Sequence, residues 1–119
     1  MGFQHGRCLT CGDMIWPQDR VAIDHVFPLA LMDHFPVARQ WPELDLDRVW
    51  NLAPAHWDCN AGKSDRPPKP VELQRLVERN EAIMNSPHPL RRTLEISLGP
   101  FSASGGWLAF IRAVQDVFS

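Results

Sequence analysis

The sequence predicts an α+β protein: a small strand-bearing core in the N-terminal half, then a set of helices. Three observations carry this. Short β-branched runs stand between prolines in the first half, apolar residues recur at three- and four-residue spacings near the C-terminus, and thiol and imidazole groups fall in two matched pairs, Cys8/Cys11 and His56/Cys59. A chain of 119 residues is sized for one hydrophobic core. The expected organisation is a core over residues 1–68 that carries the two pairs, with a helical extension over 69–119 packed on it as a single compact domain.

The elements follow from local chemistry. Residues 20–27 form a partly alternating β-branched run that Pro28 stops, which predicts a strand. Residues 29–34 suit a helical turn, residues 36–48 a loop, and Val49–Ala53 a second short strand. From Cys59 to Asp65, small and polar residues suit a short helix ended by Pro67 and Pro68. Pro70 fits the first turn of a helix running to about Asn85, with Leu73, Leu76, Val77 and Met84 near one face. Another helix is expected from Pro89 to Leu98, using Leu90, Thr93, Leu94 and Ser97. The last helix begins near Ser104 and repeats Trp107, Phe110, Ile111, Val114, Val117 and Phe118 at core-facing spacing. Trp41, Trp50 and Trp57 read as core residues, since a small domain needs large apolar groups.

Composition narrows the function classes. With 45% hydrophobic and 22% charged residues, the chain matches neither a disordered segment nor a membrane protein, and no run approaches the roughly 18 apolar residues needed to span a bilayer. The first 20 residues hold no apolar segment of signal-peptide type, so a soluble, cytoplasmic protein without a membrane partner is expected. The net charge of −2 excludes a surface that is basic throughout. Charge is segregated all the same: residues 1–59 sum to −4, residues 60–92 to +3 and residues 93–119 to −1. Arg66, Lys69, Arg75, Arg79, Arg91 and Arg92 could follow a nucleic-acid backbone, although interleaved Glu72, Glu78 and Glu81 equally suit a solvated helix face.

Three cysteines cannot complete a disulfide framework, which favours a reducing compartment. Cys8-x2-Cys11 has the spacing that lets two thiolates on a tight turn grip one zinc ion. Tetrahedral zinc needs four ligands, and with Cys59 as the third thiolate, His56 at the matching x2 spacing is the natural fourth. His56 could instead serve a second, catalytic metal, His5 is a substitute ligand, and the cysteines could be plain buried thiols. His34 and His88 have no partner in the pattern and read as surface residues.

Asp24-His25, Asn51, Asn60 and Lys63 complete the set of chemistry-bearing residues. The segments Ala22-Ile-Asp-His-Val-Phe-Pro-Leu29 and Trp50-Asn-Leu-Ala-Pro-Ala-His-Trp-Asp-Cys-Asn-Ala-Gly-Lys-Ser-Asp65 together resemble the HNH nuclease family, whose fold is the ββα-metal motif. The resemblance covers residues 8–65 and is to an H-N-N variant with a zinc-binding CxxC/HxxC site; Asn51 and Asn60 are nine apart, as in zinc-bearing members. It implies a metal-dependent endonuclease acting on DNA. His25 would be the general base that takes a proton from water, a task suited to imidazole because histidine changes charge near neutral pH. Asp24 and Asn60 would supply oxygen ligands to one catalytic Mg²⁺ or Mn²⁺, and Asn51 would orient the His25 imidazole. Cys8, Cys11, His56 and Cys59 would hold a structural Zn²⁺. Lys63, one turn beyond Asn60, and Arg66 would meet substrate phosphates.

Each residue also has a plainer reading. Asp24 and His25 could be a solvated strand pair, Asn51 a turn amide, Asn60 a helix N-cap and Lys63 an ordinary exposed lysine. The alternative from another class is a non-catalytic zinc module that binds nucleic acid or protein. A third reading makes the chain the nuclease part of a larger assembly in which a protein partner supplies targeting.

Overall fold

The computed structural model describes residues 6–35, 40–41, 44–63, 66–85, 90–98 and 106–118. It is a small α+β structure. Strand β1 (Val21–His25) pairs antiparallel with β2 (Leu52–His56), in a register that sets Asp24 opposite Ala53 and His25 opposite Leu52. A short helix α1 (Leu31–His34) lies between them, and α2 (Trp57–Lys63) follows β2 without a connecting loop. Three helices complete the described chain: α3 (Pro70–Met84), α4 (Leu90–Leu98) and α5 (Gly106–Val117).

The second strand lies three residues later than its β-branched run suggests. Val49–Asn51 form a 3-10 turn, and the strand is Leu52–His56 despite Pro54. The proline is tolerated because it sits opposite Ile23 with its carbonyl turned away from β1, accepting a hydrogen bond from the Leu9 N–H at 3.2 Å. Its missing N–H therefore removes no ladder bond. The same outer edge of β2 presents the His56 N–H to the Cys8 Sγ at 3.3 Å, so residues 8–9 run along it.

What holds the 3-10 turn comes from α3. Arg79 is buried and donates to the carbonyls of Leu52 (2.6 Å), Val49 (2.9 Å) and Trp50 (3.3 Å), while Asn80 Nδ2 donates to Trp50 O (2.9 Å). The Leu52 N–H also donates to Val49 O, and the two side chains of α3 supply donors to the carbonyls of Trp50 and Leu52 where the turn runs into β2. Burial pulls the Arg79 guanidinium down to about 10, and the carbonyls stand in for a counter-ion. Arg75 likewise donates to Leu9 O (2.9 Å) and Thr10 O (2.6 Å). Neither arginine lies on a solvated helix face or is free for a nucleic-acid backbone, because both neutralise main-chain acceptors inside the fold.

The apolar core joins both halves. Val26, Phe27, Leu46 and Trp50 pack with Leu73, Leu76 and Ile83 of α3, Leu94 of α4, and Phe110, Ile111 and Val114 of α5. Trp50 meets Phe110 edge-on at 4.9 Å, and Phe27 lies 5.9 Å from both Trp50 and Phe118. The helices begin and end close to the bounds that their periodicity predicts, with two differences. Thr93 faces solvent, and α2 starts at Trp57 rather than Cys59. Trp50 is core and Trp41 packs on Phe110, but Trp57 is 42% exposed, with the Arg20 guanidinium 4.2 Å above its ring. Ser104 and the side chain of Trp107 lie outside the described residues.

One buried side chain sets the end of β1. Asn51 accepts a hydrogen bond from Phe27 N–H (2.8 Å) and donates to Phe27 O (2.9 Å) and Leu46 O (2.7 Å). An Asn51→Leu substitution keeps the volume and strands three buried main-chain groups, so we expect a loss of about 3–5 kcal/mol in urea unfolding. Parental stability in that variant would contradict the clamp.

Candidate functional site

Residues 7–14 form a tight hairpin, with Arg7 bridged to Met14, Gly12 N–H donating to Cys8 O (2.9 Å) and Cys8 N–H donating to Asp13 O (2.8 Å). Gly12 adopts φ +79°, a conformation other residues rarely take, and a Cβ there would come within 2.8 Å of the Arg75 guanidinium. This turn brings Cys8 and Cys11 together, and the junction of β2 with α2 brings His56 and Cys59 to the same place. The ligand atoms of Cys8, Cys11, His56 and Cys59 all lie within 4.8 Å of one another. A tetrahedral zinc site has sulfurs about 3.8 Å apart, given a Zn–S distance of about 2.3 Å, so the cluster could hold such a metal with only small adjustments.

The imidazole is already set for that role. His56 Nδ1 is 3.3 Å from Cys11 Sγ and 3.9 Å from Cys59 Sγ, while Nε2 is 3.1 Å from Met14 O and 3.4 Å from Asp19 Oδ2. Since the carbonyl and carboxylate accept only, Nε2 carries the proton and Nδ1 turns its lone pair to the thiols, as histidine ligands are held in metal sites. The thiols are not equivalent. Burial pushes Cys8 up, but backbone N–H groups of Cys11, His56 and Thr10 outweigh it and bring it down to about 7. Cys59 is pushed up to about 12 by burial and by the charge of Cys8 and Cys11. Burial lowers His56, yet hydrogen bonding to Cys8 and the Cys8 charge raise it overall. A divalent cation relieves this crowding of negative charge by taking the place of protons. Among the described residues Cys8, Ile15 and Ala55, with Cys59 against them, form a small apolar cluster here. His5 and His88 lie outside the described residues, as does the side chain of His34.

Beside this cluster is a cleft of about 280 Å³ lined by Ile23, Asp24, His25, Pro28, Leu29, Ala30, Asn60 and Lys63. Asp24, His25 and Asn60 are thus brought to one place, with Asp24 and His25 from the end of β1 and Asn60 from α2. Asp24 is buried and its Oδ1 accepts from Lys63 Nζ at 2.8 Å. Among the described residues Asp24 Oδ2 and the Asn60 side chain have no hydrogen-bond partner. The His25 ring has one hydrogen-bond partner among the described residues, Asp47, whose Oδ1 is 2.8 Å from Nε2.

Three expectations are corrected here. Lys63 is 4% exposed, and its three donors are taken by Asp24 Oδ1, His25 O (2.6 Å) and Val26 O (2.9 Å), so it is neither an exposed lysine nor free to meet a phosphate. Its ammonium ties α2 to the end of β1. Arg66 forms a two-bond pair with Glu72 (2.8 and 2.9 Å) at the start of α3, which likewise occupies it. Burial alone would raise Glu72, but Arg66 and the Lys69 N–H hold its carboxyl below the usual range. Asn51 does not touch the imidazole of His25. It clamps the backbone two residues further on, and the ring contact belongs to Asp47.

No protein-family model, curated protein or solved structure matches the chain. Sequence reasoning missed Asp47, Met14 and Asp19, none of which has a diagnostic spacing to the histidine it meets.

We expect one zinc per chain by elemental analysis of protein purified without chelator, and a Cys59→Ser variant to lose the metal and melt at least several degrees lower. A Cys59→Ser protein that kept both would contradict the ligand set.

Proposed function

We propose that the chain is a metal-dependent endonuclease of the HNH type that hydrolyses phosphodiester bonds of DNA. The observation that carries this reading is the meeting of Asp24, His25 and Asn60 in one cleft, on an antiparallel strand pair and a helix whose junction also carries His56 and Cys59 of the Cys3His cluster. The order of strand, strand and helix around the cleft matches the ββα arrangement that the motif implies.

The residues divide the chemistry by type. His25 accepts the proton of the attacking water, a contribution of about 10²–10⁴ in rate for a placed general base. Asp24 and Asn60 would hold Mg²⁺ or Mn²⁺ as oxygen ligands, and that ion, when bound, supplies positive charge beside the scissile phosphate and the leaving oxygen. Lys63 pairs with the buried Asp24 carboxylate at 2.8 Å and so holds it in place on the cleft wall. The Cys3His cluster with zinc in place fixes the start of α2 and therefore the position of Asn60. With Lys63 engaged inside the fold and Arg66 paired with Glu72, contacts to the DNA backbone fall to other surface cations.

Zinc-loaded protein is expected to nick supercoiled plasmid when Mg²⁺ or Mn²⁺ is added and to be idle when it is left out, a comparison cleaner than EDTA, which also strips zinc. His25→Ala should lose about 10²-fold or more of the rate with its melting temperature unchanged. Full cutting by His25→Ala would sink the proposal, and a folded, zinc-loaded parent that never cuts would favour the non-catalytic zinc module.

A further inference from the structure

We propose that Asp47 is a positioning residue that holds the His25 imidazole as its Nε2–H tautomer and so makes Nδ1 the nitrogen that accepts the water's proton. The catalytic half of this statement rests on the nuclease reading above; the tautomer half does not.

An ionised carboxylate can only accept hydrogen bonds, so the 2.8 Å contact between Asp47 Oδ1 and His25 Nε2 requires the proton on Nε2. In the neutral ring the lone pair is then on Nδ1, which no other described residue engages. A mobile ring with both tautomers populated would spend part of its time with the wrong nitrogen protonated. One fixed acceptor removes that loss.

The contact contributes little to stability. The Asp47 side chain is 68% exposed and that of His25 30%, and ion pairs in such surroundings are screened. Yet the turn that bears Asp47 is pinned on both sides. Its own N–H donates to Asp45 Oδ1 (2.9 Å), Arg48 Nε donates to Asp45 Oδ2 (2.8 Å), and Trp50 Nε1 donates to Asp45 O (3.1 Å). Leu46 is buried, and its carbonyl accepts from Asn51 Nδ2 (2.7 Å). Asn51 thus fixes both the backbone after His25 and the backbone before Asp47. An exposed carboxylate is delivered to one ring nitrogen by a buried scaffold, an arrangement that serves orientation.

The test compares the parent with Asp47→Ala and Asp47→Asn as zinc-loaded full chains in plasmid nicking with Mg²⁺, alongside long-range ¹H–¹⁵N NMR of the His25 ring at roughly pH 8.5, where free imidazole is neutral. Asp47→Ala is expected to lower kcat about tenfold or more, with KM within about twofold and an unchanged Tm. Asp47→Asn, whose amide oxygen still accepts from Nε2–H, is expected to recover most of that loss. The parent ring should show the Nε2–H tautomer and Asp47→Ala a mixture. Parental or higher kcat in Asp47→Ala, or an Nδ1–H tautomer in the parent, would overturn the assignment. A parent that does not cut DNA, yet shows Nε2–H lost in Asp47→Ala, would retain the positioning role and remove the nuclease reading.

Discussion

The hydrogen bonds made by the side chain of Asn51 are the constraint on which the rest of the structure depends. A strand that ends in a cleft must turn its last residues away from the sheet, and each peptide group that leaves the ladder needs a new partner. At the end of β1 that partner is a buried amide, which both donates and accepts and so satisfies the N–H and the carbonyl of Phe27 together. Because the amide also holds Leu46 O, it sets the distance between the chain after His25 and the chain before Asp47. The amide is in turn fixed from behind, where Arg79 and Asn80 of α3 occupy the carbonyls of its own 3-10 turn.

A second buried polar node works beside the first. Lys63 gives its three N–H bonds to Asp24 and to the carbonyls of His25 and Val26, so the ammonium of α2 and the amide of residue 51 divide the peptide groups at the end of β1 between them. Removing one partner of such a buried pair costs about 3–5 kcal/mol in typical cases. The two nodes let Asp24 and His25, neighbours on a strand whose side chains would otherwise alternate, line a common cleft. They also make α3 part of the machinery. Its arginines hold the hairpin of the cysteine cluster through Leu9 and Thr10 and the 3-10 turn through Val49, Trp50 and Leu52, which places the Cys3His cluster and the cleft in fixed relation.

Much of this was legible in the sequence, and the reason differs by element. The α3 and α5 stripes follow from helical geometry, and the Cys8, Cys11, His56 and Cys59 pairs from the demands of four-coordinate metal binding, so both emerge from spacing alone. The position of β2 was not legible, because β-branched Val49 and Pro54 argue against the true bounds when partners are unknown. Nor were the roles of Lys63, Arg66, Arg75 and Arg79. A cation in a sequence looks the same whether it meets solvent, a phosphate or a main-chain carbonyl, and only the fold decides. Asp47 was hidden for a similar reason: it lies 22 residues from His25 in a segment read as loop, and what places it is the Asn51 amide between them.

The most direct test of this account is native-state hydrogen exchange at the Phe27 amide, whose acceptor is the Asn51 side chain. If Asn51 is the hub, Phe27 exchanges only through global unfolding, with a protection free energy equal to that of the whole chain and the full denaturant dependence. Exchange through a small local opening, at a free energy well below that of global unfolding, would contradict it.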